Sequence, residues 1–150
     1  MVNSEVVLEK LRHIRAALQR ITDKNPGTRE ELFSNPDTQD VVLRNMQNAL
    51  QGCLDIASHI VSDEGWGQPS RAADFFSVLG EHKVLETDLA KKLARLIKFR
   101  NILVHEYTTL DLEKTWQAVS AGLTQVESFC QAIVHWMEHP EPPKTSKVKN

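Results

Sequence analysis

The sequence predicts an all-α protein, an antiparallel four-helix bundle with one additional short helix. Three observations carry that expectation. Apolar residues recur at steps of three and four along most of the chain, the repeat of one helical face. No stretch alternates apolar and polar residues for long, and aromatic residues are only 6% of the 150 residues, so strand signals are nearly absent. Clusters of Pro, Gly and Asn interrupt the pattern at spacings that suit helices joined by short turns.

The first helix is expected from about Ser4 to Ile21, with Val7, Leu11, Ile14, Leu18 and Ile21 on one face. Asn3 or Ser4 can cap it, and Asn25-Pro26-Gly27 stops it. The next starts at Asp37 or Thr38, after Asn35-Pro36. Its stripe is Val42, Met46, Leu50, Cys53, Ala57, Ile60 and Val61, and Gly65, with Gly67 and Pro69 behind it, ends it. Gly52, inside this helix, costs about 1 kcal/mol against Ala. It either admits a close helix approach or is merely tolerated. Ser70 can cap a short helix through Leu79, closed by Gly80. A further helix runs roughly from Glu86 to Leu103, with Leu89, Leu93, Leu96, Ile97, Ile102 and Leu103 as its apolar side. The last begins near Asp111 and carries Trp116, Val119, Leu123, Val126, Cys130, Ile133 and Met137 at helical steps. Pro140, Pro142 and Pro143 end the fold. This gives one helical domain over 1–139 and a disordered basic tail over 140–150 that contains Lys144, Lys147 and Lys149.

Composition narrows the function. Hydrophobic residues at 41% and charged residues at 25% are those of a globular domain that builds a core without disulfide staples. The formal charge of −2 argues against a protein that coats nucleic acid through overall positive charge, but not against a local basic site. No run of about 18 apolar residues exists, so no membrane span is expected. Met1-Val2-Asn3-Ser4-Glu5 lacks a basic start followed by an apolar run, so no signal peptide is expected. Cys53 and Cys130 sit at apolar helical positions and are read as buried free thiols of a reducing cytosol. The expected location is cytoplasmic, with no membrane partner.

One segment concentrates chemistry: Arg100-Asn101-Ile102-Leu103-Val104-His105-Glu106-Tyr107, which holds the single tyrosine of the chain. From Leu85 to His105, five basic residues (Lys91, Lys92, Arg95, Lys98, Arg100) against Glu86 and Asp88 leave a charge of +3 with His neutral. Lys91, Arg95 and Lys98 share a helical face. Such a field suits a phosphate-bearing ligand, although a solvated face favoured by the helix dipole explains the same charges. Five residues at about 100° each put His105 about 140° around from Arg100 on a regular helix. Either the helix breaks before His105, or the pair is completed across a two-fold axis.

Other features read as structure. His135-Trp136-Met137-Glu138-His139 spells H-x-x-E-H, a zinc-peptidase pattern, but it lies at a helix end before Pro140 with no later helix to supply a third ligand. No metal site is expected. Trp116, Trp136 and Phe129 are read as core or interface aromatics. Trp66, between Gly65 and Gly67, either contacts a partner or packs under the bundle end.

Arg100-Asn101, three residues, His105, one residue, Tyr107 resembles the motif of the HEPN superfamily, and closely that of its HepT-type toxins. The Phe75-Phe76-Ser77-Val78-Leu79 helix and the lead-in from Leu89 to Phe99 are similar in order to the family's helices. The likeness spans roughly Val6 to Met137. It implies a cytoplasmic, metal-independent endoribonuclease, the toxin of a type VII-like toxin–antitoxin pair, with tRNA as a target class. It implies a homodimer through the motif-bearing helices, with catalytic residues meeting at the interface. It also implies a cognate minimal nucleotidyltransferase antitoxin that silences the toxin by AMP transfer to Tyr107. The residue types suit the reaction. His105 titrates near neutrality and can act as base or acid, Arg100 can stabilise charge on phosphorus, and Asn101 can support either. Lys91, Arg95 and Lys98 are the candidates for RNA contact, and no cofactor is needed. The alternative is a non-catalytic HEPN nucleotide-binding helper of a nucleotidyltransferase. A purely structural helical dimer is a third.

Overall fold

A computed structural model describes residues 2–24, 27–105 and 112–139, with only the backbone described for residues 101–105 and 112. The described residues form six helices and no strand: α1 (Ser4–Lys24), α2 (Arg29–Ser34), α3 (Pro36–Asp63), α4 (Ala72–Glu81), α5 (Thr87–His105) and α6 (Leu112–Glu138). The all-α expectation holds. The four long helices, α1, α3, α5 and α6, are the four of the bundle.

The apolar stripes bury as their spacing requires. Val7, Leu11, Ile14, Leu18 and Ile21 of α1 face inward, and α1 packs most extensively against α3. α3 is central, touching every other helix of the fold. Phe76 of α4 and Phe129 of α6 meet edge-on in the core, their ring centroids 5.9 Å apart, and both are fully buried. A side chain of this size contributes about 1.5–3 kcal/mol through burial alone. Cys53 and Cys130 are buried free thiols, as expected. Burial pushes Cys130 up to about 11 and raises Cys53 well above the usual thiol range, so neither supplies a thiolate nucleophile at neutral pH.

Caps explain the boundaries. The Asn3 side chain accepts from the backbone N–H groups of Glu5 and Val6 at 3.0 and 3.3 Å. Asn35 does the same for Asp37 and Thr38, which lets α3 start at Pro36, one residue before the expected position, with Pro in its favoured first-turn place. At the far end the N–H of Trp66 reaches the Val61 carbonyl and that of Gly65 the Ser62 carbonyl. This is a Schellman closure with Gly65 at φ +71°.

Three details differ from expectation. The short helix α2 was not anticipated. Its start is written in Thr28-x-x-Glu31, where the Thr28 hydroxyl accepts from the Glu31 N–H at 3.1 Å, and it buries Leu32 completely. Ser70 does not cap α4, because Arg71 holds the cap position without a side-chain bond. Gly80 does not close α4 either. It lies against α5, where a Cβ would come within 2.9 Å of the Ala90 Cβ. Lys83, at φ +62°, makes the closing turn, with the Val84 N–H on the Leu79 carbonyl.

Of the two readings of Trp66, packing is the one observed. Its ring stacks on His82 at 3.9 Å with planes 4° apart, and meets Trp136 edge-on at 6.3 Å. The stops at Asn25-Pro26 and Pro140, and the tail over 140–150, lie outside the described residues.

Candidate functional site

The site grows out of α5. Ala90, Leu93, Leu96 and Ile97 bury its inner face, and α4 and α3 cover that face. Lys91, Arg95 and Lys98, at steps of four and three, are all exposed on the outer face. Lys92, one position round, pairs with Asp88 at 3.0 Å. The basic stripe predicted by spacing is therefore present as a continuous solvent-facing strip.

Arg100 is placed differently. Nine residues at about 100° each set it about 180° from Lys91, on the core-facing side, and it is half-buried. There it reaches α3, where its Nη1 donates to the Gln51 side-chain carbonyl at 2.5 Å. Gln51 in turn donates from its Nε2 to Asp55 Oδ1 at 2.9 Å, and Lys10 of α1 lies 3.6 Å from Asp55 Oδ2. A polar chain thus runs from α5 through α3 to α1. Gln51, Asp55 and Lys10 also line an open cleft of about 360 Å³ between α1 and α3, beside Arg20 and Asn48. A second cleft of about 650 Å³ shares Lys10 and Asp55 and continues to Pro69 and Phe75.

α5 continues without a break to His105. The first of the two geometric options, a helix that breaks before His105, is therefore not realised. Asn101 and His105 lie in its last turns, and their side chains lie outside the described residues, as does Tyr107. The structure thus joins Arg100 to α3 and groups Lys91, Arg95 and Lys98. It does not show the motif residues converging. In helical register His105 falls within about 40° of Lys91, on the side of the basic stripe rather than that of Arg100.

Sequence reasoning missed Gln51, Asp55 and Lys10. The Gln51–Asp55 pair is legible as an i,i+4 couple on one helix, but its link to Arg100, 49 residues away, is not. His135 and His139 end α6 with ring centroids 4.7 Å apart. Among the described residues no group of three or more His, Cys, Asp or Glu side chains is arranged to hold a metal ion. No helix among them is long and apolar enough to cross a membrane.

Comparison with known proteins gives a consistent result. The family described as ribonuclease HepT-like matches residues 9–133. The chain is 28% identical over 130 residues to an mRNA nuclease HepT of Shewanella oneidensis, covering 87% of this chain and 97% of that one. It is 31% identical over 104 residues to a tRNA nuclease HepT of Aphanizomenon flos-aquae, covering 69% and 71% respectively. Among solved structures, a toxin–antitoxin complex with AMP-PNP superposes with a TM-score of 0.80 at 27% identity, covering 87% of this chain and 98% of that one. A tri-AMPylated HEPN toxin of Shewanella oneidensis in complex with its MNT antitoxin gives 0.78 at 28%, covering 87% and 97%.

Proposed function

This chain belongs to the HepT-like ribonuclease family, and from that premise we propose an endoribonuclease toxin whose active site is completed between two copies of the chain. The observation that carries the reading is the unbroken α5. With Arg100 turned toward α3 and His105 about 140° away on the same regular helix, the two meet on one phosphate when they come from different protomers. The motif-bearing helices then form the dimer contact.

The chemistry is a transesterification within the RNA. His105 takes the proton from a ribose 2′-hydroxyl as its oxygen attacks the adjacent phosphorus. Negative charge gathers on the equatorial oxygens, where the Arg100 guanidinium, with fixed planar donors, stabilises it. The P–O5′ bond breaks, the 5′-oxygen takes a proton from water, and a 2′,3′-cyclic phosphate remains. Asn101 supports the geometry from the next position on α5. Lys91, Arg95 and Lys98 hold flanking phosphates by charge. No metal ion enters these steps, and tRNA is the proposed substrate class.

Regulation follows from Tyr107, two residues past His105. AMP transferred to its hydroxyl by a cognate minimal nucleotidyltransferase adds bulk and negative charge close in sequence to His105 and repels RNA. The S. oneidensis toxin seen AMPylated with its antitoxin supports this reading.

Purified protein is expected to cleave total tRNA in EDTA. Intact tRNA would favour the alternative, a non-catalytic helper of a nucleotidyltransferase. With the cognate transferase and ATP, wild type should gain AMP and lose activity, whereas Tyr107→Phe should gain none and stay active. Labelling and silencing of Tyr107→Phe would remove Tyr107 as the switch.

A further inference from the structure

We propose that Gln51, oriented by Asp55, is a positioning residue that holds the Arg100 guanidinium in its working orientation. The inference rests on the catalytic role of Arg100 proposed above.

The argument is one of donors and acceptors. A guanidinium only donates and a carboxylate only accepts. Gln51 stands between the two, four residues from Asp55 on α3. Its carbonyl faces Arg100 Nη1 at 2.5 Å and its amide nitrogen faces Asp55 Oδ1 at 2.9 Å. Reversing the amide would set NH2 against guanidinium and carbonyl against carboxylate, so only one orientation satisfies both neighbours. Asp55 therefore fixes Gln51, and Gln51 fixes Arg100. The acceptor that Gln51 offers Arg100 is a neutral amide oxygen, which directs the guanidinium by hydrogen bonding. A guanidinium held in one orientation is ready to meet developing negative charge without reorganising. Lys10, at 3.6 Å from the other Asp55 oxygen, is a partly exposed pair and contributes little. The relay sits on α3, the most connected helix, so Arg100 is referenced to the rigid core as well as to the last turns of its own helix.

The role is separable from catalysis by contact. Gln51→Leu, similar in size and without an acceptor, is expected to lower kcat for tRNA cleavage by about tenfold or more, with KM within about twofold. Asp55→Leu should reproduce that loss, because the Gln51 amide is then free to turn. Asp55→Asn keeps an acceptor oxygen for Gln51 and should restore kcat to within about threefold of wild type. A second readout needs no activity. In 15N spectra of the Arg guanidinium groups, with Arg100→Lys used for assignment, Arg100 should show hindered rotation that is lost in Gln51→Leu. Wild-type kcat in Gln51→Leu overturns the proposal, as does a loss in Asp55→Asn equal to that in Asp55→Leu. So does an unchanged Arg100 signal in Gln51→Leu. A wild-type protein that leaves tRNA intact while the spectral change occurs would instead count against the ribonuclease mechanism and leave the positioning contact standing.

Discussion

Arg100→Ala is expected to lower the rate of RNA cleavage by about two to three orders of magnitude, and His105→Ala by about as much or more. On the proposed mechanism each variant removes a different part of one reaction, transition-state charge stabilisation in the first and proton transfer in the second. Arg100→Ala should fold, because Arg100 is only half-buried and bonds a side chain that also has water within reach through the open cleft. The informative experiment is to mix them. If Arg100 of one protomer serves His105 of the other, a mixed dimer holds one site with both residues and one with neither. Unfolding and refolding an equimolar mixture makes half the dimers mixed, so about a quarter of wild-type activity should return. Sites contained within single protomers would give no recovery at any ratio. The mixing experiment therefore tests the shared site separately from the chemistry.

The second large effect concerns the α1–α3 contact. A Cβ on Gly52 would stand 2.5 Å from Ile14 Cγ1 and 3.1 Å from its Cδ1. Ile14 is fully buried, and β-branching leaves its χ1 little freedom. Gly52→Leu should drive the helices apart at a cost of about 3 kcal/mol or more, lowering the thermal midpoint by roughly 10 °C. Gly52→Ala decides between the two readings of this glycine. A merely tolerated glycine would be improved by Ala by about 1 kcal/mol. At a close approach the clash outweighs that gain and the midpoint falls. Combining Gly52→Ala with Ile14→Ala should cost less than the sum of the two, because the new methyl enters the space the isoleucine vacates. A midpoint raised by Gly52→Ala alone would dismiss the close-approach account.

Much of this molecule was legible in its sequence, for a definable reason. Helical repeats in α1, α3, α5 and α6 run over several turns, so their inward faces announce themselves, and local caps such as Asn3 and Asn35 mark their starts. What escaped was short or long-range. α2 spans only six residues, too few for a periodicity to emerge, although Thr28 and Glu31 flagged its beginning. The close of α4 escaped because Lys83, rather than a glycine, takes the left-handed turn, and Gly80, which looked like a stop, serves packing. Within the site, the basic stripe needed only helix register. The link from Arg100 to Gln51 depends on how α5 lies across α3, which no local pattern encodes.

One geometric fact about α5 reaches beyond the single molecule. Lys91, Arg95 and Lys98 project from the side of α5 opposite Arg100, so in a shared site the grip on RNA and the charge that drives scission come from different chains. On the proposed shared site, separate chains would hold RNA without cutting it, and cutting would begin when a second copy arrives. Below the dimerisation constant, cleavage scales with the square of the toxin's concentration while RNA capture scales in simple proportion. On that reading basal leakage of the gene would be nearly harmless, a modest surplus would not be, and the proposed antitoxin would need only to keep the free pool under that threshold.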